Sequence, residues 1–350
     1  MWKFQRKLIS QQFQGKKFRN LAYAAVIRQS EIAINILKKH ADSGKPIDLQ
    51  DLFMRFTMDT FGDLSFGVDF GCLTHIGEES KFVTSLEYIQ TVINWRTFQP
   101  FWKLIEKYSE KGQRIREACK CIDDYVYNMI NSHRSKLEVE NKPVNNMLTL
   151  LMDAVDDDGK KFSDKELSDV VMSLIVADSL LQEINSFLSS ERSIPLCDDI
   201  NLFKYTTATF YETIRLYPVV PVNGKVCIKD TVLPNNIPIF AGELVEYNLY
   251  IMGRDEKIWG KDAKQFNPKR FLNSEDGLRP NRFKFASFNA GPRKQFATLE
   301  AVILIMMLLK EFKFELATGQ KSPPEYKDSM FLEMKDPFMA KVSYRTKKNS

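Results

Sequence analysis

Phe210-Tyr211-Glu212-Thr213-Ile214-Arg215-Leu216-Tyr217-Pro218 is the stretch that decides how this chain is read. Glu212 and Arg215 stand three residues apart, on the last turns of a helix that Pro218 ends. A Glu-x-x-Arg pair alone says little, because most such pairs are solvated surface contacts worth roughly a few tenths of a kcal/mol. The setting is what matters. Phe210, Ile214, Leu216 and Tyr217 leave this helix little polar face. A charge pair in such surroundings must find further partners or be a net cost. A third polar group is therefore expected from elsewhere in the chain.

Phe266-Asn267-Pro268-Lys269-Arg270-Phe271 offers a candidate. Arg270 lies between aromatic residues, just after a turn marked by Pro268. The alternative is an ordinary exposed arginine. Between the two motifs the texture is that of short strands. Val219, Val220 and Val222, then 226–232, 237–240 and 244–249, are β-type runs punctuated by Pro221, Gly224, Pro234, Pro238 and Gly242. This reads as a small sheet inserted in a helical protein.

Upstream, helices dominate. Asp48 is placed to cap a helix, Asp51 puts a negative charge in its first turn, and Ile47 can staple onto Leu52. Ile115, Ala118, Cys119, Ile122, Val126, Met129 and Ile130 step by three and four, the mark of one face of a long amphipathic helix. Ser163-Asp164-Lys165-Glu166 opens another with a capping-box pattern. Downstream, helix returns over 296–312, and 331–344 alternates like strands.

Composition closes off several functions. The 350 residues are 44% hydrophobic, enough for a large core. The net charge of +5 comes from interleaved charges and gives no pointer to nucleic acid. The five cysteines are irregularly spaced and odd in number, which argues against a disulfide framework. Cys119-x-Cys121 reads as two residues of one helix. His40, His75 and His133 form no metal-binding pair, so a zinc site has no basis. The longest apolar run, 301–309, is a buried-helix length and far short of a membrane span. Residues 1–30 carry basic residues and no acid, a composition that can mimic a transit peptide.

One further stretch, Phe288-Asn289-Ala290-Gly291-Pro292-Arg293, looks like a loop that approaches a flat, charged cofactor. These pieces in this order resemble the cytochrome P450 family of haem-thiolate monooxygenases, and the likeness covers nearly the whole chain. Glu212 and Arg215 match the family's E-x-x-R. Arg270 matches the Arg of its P-E-R motif, with Lys269 replacing the usual Glu. The resemblance implies that these three form a buried network behind the haem (heme). Phe288, Gly291 and Arg293 match the haem-binding loop. Trp2 and Arg6 match the W-x-x-x-R helix, whose side chains contact a haem propionate, and that explains the basic start better than a transit peptide does. Lys225 falls where the family often places another propionate partner. Residues 49–72, Gly253-Arg254 with Trp259-Gly260, and 266–271 look most like the branch that hydroxylates fatty acids near the chain end.

The same resemblance exposes losses. The haem loop reads F-x-x-G-x-R-x-C-x-G in the family. Here Arg293 is followed by Lys294, Gln295, Phe296 and Ala297. Counted without gaps, Gln295 holds the Cys position and Ala297 the Gly position. Counted against the helix that follows, about four residues including the Cys are excised after Arg293; this second register matches both flanks. No cysteine follows Cys227. The thiolate donates the electron density that favours O–O cleavage, and a Gln amide cannot replace it. A second loss follows Ala177, where the family's oxygen-activating A-G-x-D/E-T-T turn is expected and Asp178-Ser179-Leu180-Leu181-Gln182-Glu183-Ile184 stands instead. A third lies at the start, since Met1 matches a point well inside the family domain.

The expectation is a single partial P450 domain over 1–350, mainly α with small β-sheets and an incomplete P450 fold. Within it, 1–217 is mostly helical, 218–295 holds the small sheet and haem-loop region, and 296–350 the last helix and C-terminal strands. By resemblance the family inserts one oxygen atom from O2 into an apolar substrate such as a fatty acid. Its cofactor is haem, and its partner is an NADPH-dependent reductase at the endoplasmic reticulum membrane. This chain is expected to be inactive, monomeric, without a membrane anchor, and on the cytoplasmic face or in the cytosol. The alternative is a non-catalytic remnant that binds an apolar ligand, haem or a partner protein.

Overall fold

The computed structural model describes residues 16–67, 69–78, 80–140, 147–153, 161–168, 203–234, 236–272, 278, 281, 283–287, 293–319, 324–327 and 331–345. In chain order the elements are α1 (Lys16–Ser43), β1 (Ile47–Asp48), α2 (Leu49–Phe66), α3 (Lys81–Phe98), α4 (Trp102–Tyr108), α5 (Glu110–Glu140), α6 (Met147–Asp153) and α7 (Lys204–Leu216). Next come β2 (Val222–Val226), β3 (Thr231–Leu233), β4 (Ile237–Ile239), β5 (Leu244–Asn248), α8 (Leu249–Met252), α9 (Glu256–Trp259) and α10 (Lys269–Leu272). The chain closes with α11 (Arg293–Glu311), β6 (Phe312–Leu316) and β7 (Met339–Tyr344). The molecule is mainly helical with small antiparallel sheets, as its sequence implies. It divides into two compact units, Met1–Phe203 with Pro292–Ser350, and Lys204–Gly291.

The first unit is built around α2, which is buried on nearly every face. Leu52 and Phe56 from α2 join Val26 and Leu37 from α1, Ile303 and Leu304 from α11, and Phe312 from β6 in one core. Asp48 caps α2, its carboxylate accepting from the Gln50 backbone N–H at 3.0 Å. The same oxygen accepts from the Phe338 N–H at 3.0 Å, so one side chain ties the helix start to the C-terminal strand. There β1 pairs antiparallel with β7, Ile47 facing Ala340, and β7 pairs with β6.

Two buried charges on α2 fix the loop at 69–78. Asp59 accepts from the backbone N–H groups of Cys72 (2.9 Å) and Leu73 (2.7 Å). Arg55 pairs with Asp51 at 2.7 Å and donates to the carbonyls of Cys72, His75 and Glu78. Burial pushes the Asp59 carboxyl above its ordinary range, against the pull of those two N–H donors.

Helix α5 buries Ile115, Ala118, Ile122, Val126, Met129 and Ile130, the expected face. Cys119, counted with that stripe in the sequence, is exposed instead, because it lies beside the stripe at helical pitch. It and Cys121 do belong to one helix. The capping box at 163–166 forms reciprocally: the Ser163 N–H donates to Glu166 at 2.9 Å, and the Glu166 N–H to the Ser163 hydroxyl at 3.3 Å. Helix α11 begins at Arg293, three residues before the apolar pattern does, and Phe312 leaves it to open β6.

The second unit holds two two-stranded antiparallel sheets. Strand β2 pairs antiparallel with β5, Gly224 facing Glu246, and β3 pairs with β4, Val232 facing Pro238. The run 226–232, read from the sequence as one strand, is broken between them. Asp230 bends the chain there, its carboxylate accepting from the Ala241 N–H at 2.8 Å. The core of this unit is aromatic: Phe271 meets Tyr211 edge-on at 5.7 Å and Phe285 at 5.3 Å, and Trp259 lies against Phe271 at 5.9 Å. Among the described residues, no helix is long and apolar enough to cross a membrane.

Candidate functional site

Helix α7 carries Glu212 and Arg215 inward on its last turn, and both are buried. The contact is bidentate: Arg215 Nε donates to one Glu212 oxygen at 2.7 Å and Nη2 to the other at 2.8 Å. The remaining Arg215 N–H groups reach backbone carbonyls, of Gly253, of Ala263 at 2.7 Å and of Gln265 at 3.2 Å. All five guanidinium donors are thereby engaged, which is what burial of an arginine demands.

Arg270, from α10, is the third member. Its side chain is 11% exposed, so it is no ordinary surface arginine. Its Nε faces Glu212 at 3.5 Å. Nη1 donates to the Trp259 carbonyl (2.8 Å) and to Asp262 (3.0 Å), and Nη2 to Asp262 at 2.9 Å and to its backbone carbonyl at 3.1 Å. Glu212 also accepts from the Asn267 N–H at 2.7 Å. Two acids and two guanidiniums thus balance in charge. Hydrogen bonding from Arg270, then from Asn267, holds the Asp262 carboxyl below its usual range.

Nothing in the sequence assigns three of these partners to the network. Asp262 is one of many acids in the sequence. Gly253 must be glycine because a Cβ there would collide with the Arg215 carbonyl oxygen. Trp259 lies under the guanidiniums of Arg215 (5.1 Å) and Arg270 (6.0 Å). The cue that could have found Asp262 is its neighbourhood: it follows Trp259-Gly260 and precedes the Pro268 turn by six residues.

The haem-contact candidates are distributed differently. Lys225 is exposed on β2, opposite Val245. Arg293 and Gln295 fall in the first turn of α11. Trp2, Arg6, Phe288, Gly291 and the segment after Ala177 lie outside the described residues. The donors present do not fit a thiolate-ligated haem. The chain beyond Cys227 has no thiol, and the backbone at the ligand position is already helical. Among the described residues no cluster of His, Cys, Asp or Glu could hold a metal ion instead.

A family model described as Cytochrome P450 matches the chain in two pieces, residues 1–178 and 175–342. Among curated proteins, Cytochrome P450 monooxygenase cyp1 of Mycosarcoma maydis is 29% identical over 391 residues, covering 98% of this chain and 61% of its own length. Cytochrome P450 86B1 of Arabidopsis thaliana is 28% identical, over 95% of this chain and 67% of its own. Cytochrome P450 704C1 of Pinus taeda is 30% identical, over 90% and 70%. The chain therefore spans less than two thirds of the first of these relatives. The 391-residue alignment is longer than the 350-residue chain itself, so that relative carries residues opposite gaps.

Proposed function

The chain belongs to the cytochrome P450 family, and from that premise we propose that it keeps the family's haem-side scaffold while lacking its oxygenase chemistry. The family's cofactor is haem, and its members act on apolar substrates with a reductase partner. For the complete ancestor of this chain the substrate is an apolar molecule of the fatty-acid kind. Its electrons come from an NADPH-dependent reductase at the endoplasmic reticulum membrane.

One observation carries the reading of inactivity: no cysteine follows Cys227, and Gln295 occupies the ungapped ligand position. Without a thiolate the electron push for O–O cleavage is missing. The second loss has its own support: the family match divides into two pieces at 175–178, beside Ala177. The charge-balanced Glu212–Arg215–Arg270–Asp262 network, by contrast, is intact.

The test is the carbon monoxide difference spectrum of the reduced, purified chain produced with a haem supply. The expected result is no thiolate-type band. A thiolate-type band, with iron and protein in equal amounts, would overturn the proposal.

A further inference from the structure

The β2–β5 pair of the second unit has two open edges, and they differ. Among the described residues β2 pairs with no strand but β5, and β5 with none but β2. The ladder runs on past both strand ends: the Cys227 N–H donates to the Glu243 carbonyl at 2.8 Å, and the Leu249 N–H to the Pro221 carbonyl at 2.7 Å. In an antiparallel pair, residues that bond across alternate with residues whose backbone groups point away. Asn223 and Lys225 therefore bond across to Tyr247 and Val245. Val222, Gly224 and Val226 turn their N–H and carbonyl groups outward on β2, as do Leu244, Glu246 and Asn248 on β5.

Such an edge can template a further strand. Register decides whether it accepts a second copy of itself. Two identical strands that pair antiparallel are related by a twofold axis, here through the middle outward residue. On β2 that residue is Gly224, which meets its own copy without a side chain. Val222 of one copy then stands opposite Val226 of the other, at both ends of the joint. Both valines are exposed, on the face that also carries the exposed Leu244, the neighbour of Val226 within the chain. Lys225 falls opposite Asn223, so no like charges meet directly. On β5 the same operation sets Glu246 against Glu246, and like charges directly opposite are destabilising. The β3–β4 sheet has strands of three residues, one of them with Pro238, and both traits blunt an edge.

We propose that β2 is a self-pairing edge, through which two copies of the chain join into a four-stranded sheet ordered β5-β2-β2-β5. Each facing pair along the joint exchanges two backbone hydrogen bonds. An apolar row of Leu244 and Val226 from one copy and Val222 from the other crosses it, and cross-strand β-branched pairs stabilise a sheet. A two-stranded sheet, marginal in water, becomes a four-stranded one. Both outer edges of the new sheet are β5 with Glu246, so assembly closes at two copies. One strand joint is a small interface, so the dimer is weak and concentration-dependent. The family resemblance implies a monomer; the register of β2 argues for the pair.

The test is sedimentation velocity of the purified full chain over a concentration series, with amide hydrogen exchange on the same samples. The expected result is a reversible doubling of mass as concentration rises. Over the same series the N–H groups of Val222, Gly224 and Val226 gain protection, and those of Leu244 and Glu246 do not. Val222→Lys with Val226→Lys sets like charges opposite each other at both ends of the joint and should hold the chain monomeric. Val222→Glu with Val226→Lys brings opposite charges together only in the antiparallel register and should restore the dimer. The wild-type exchange, read one edge against the other, decides the matter even where a variant fails to fold. A chain that stays monomeric throughout, a dimer that survives Val222→Lys with Val226→Lys, or assembly beyond two copies would overturn the proposal. So would protection of the β2 edge that ignores concentration, since another segment of the same chain would then hold it.

Discussion

Arg215 engages five acceptors, and a lysine there could donate to at most three. Arg215→Lys would keep the charge and orphan buried carbonyls. It should cost about 3–5 kcal/mol, as breaking a buried pair does, read as a drop in the urea midpoint. A loss below about 1 kcal/mol would show that water enters and completes the set. Part of this cluster is legible in the sequence. Apolar neighbours around Glu212 and Arg215 announce that the pair needs company, and Arg270 sits between aromatics. Most of the remaining acceptors are main-chain carbonyls of Gly253, Trp259, Ala263 and Gln265, and a carbonyl has no letter in a sequence. Gly253 is the same kind of case: its requirement comes from a close approach 38 positions away in the chain.

Local rules worked best for whole elements. The cap at Asp48, the box at 163–166 and the stripe on α5 each rest on side chains within one or two turns. The role of Asp48 extends further, since its carboxylate also receives the N–H of Phe338, the residue before β7. Asp48→Ala should therefore cost more than an ordinary cap, about 2 kcal/mol against the usual ~1. Hydrogen exchange should localise the added loss to Phe338 as well as Gln50. Loss confined to the helix start would reduce Asp48 to a plain cap. The clamp of Arg55 and Asp59 on the 69–78 loop stayed hidden for the same reason as Gly253. Asp51–Arg55 looks like a surface pair at helical spacing, and only the tertiary arrangement shows Arg55 buried and bonded to three carbonyls.

At the scale of the whole molecule, several of the exposed apolar side chains gather on two small sheets. The β2–β5 and β3–β4 pairs form two-stranded sheets, which are marginal in water on their own. Val226, Ile228, Val232, Phe240 and Leu244 are more than half exposed there. Exposed edges beside apolar residues template aggregation. Val226→Lys with Leu244→Glu should slow aggregation of the purified chain by severalfold in static light scattering, with the circular dichroism unchanged. An unaltered rate would place the sticky surface elsewhere. Trp259 offers a different vantage. Its indole is nearly sealed from solvent, donates to the Met252 carbonyl at 3.0 Å, and has Arg215, Arg270 and Lys284 ranged over its ring. The electric field of three cations on one chromophore tunes the colour of its emission. In Trp259 the polypeptide thus carries an optical gauge of whether its second unit has assembled.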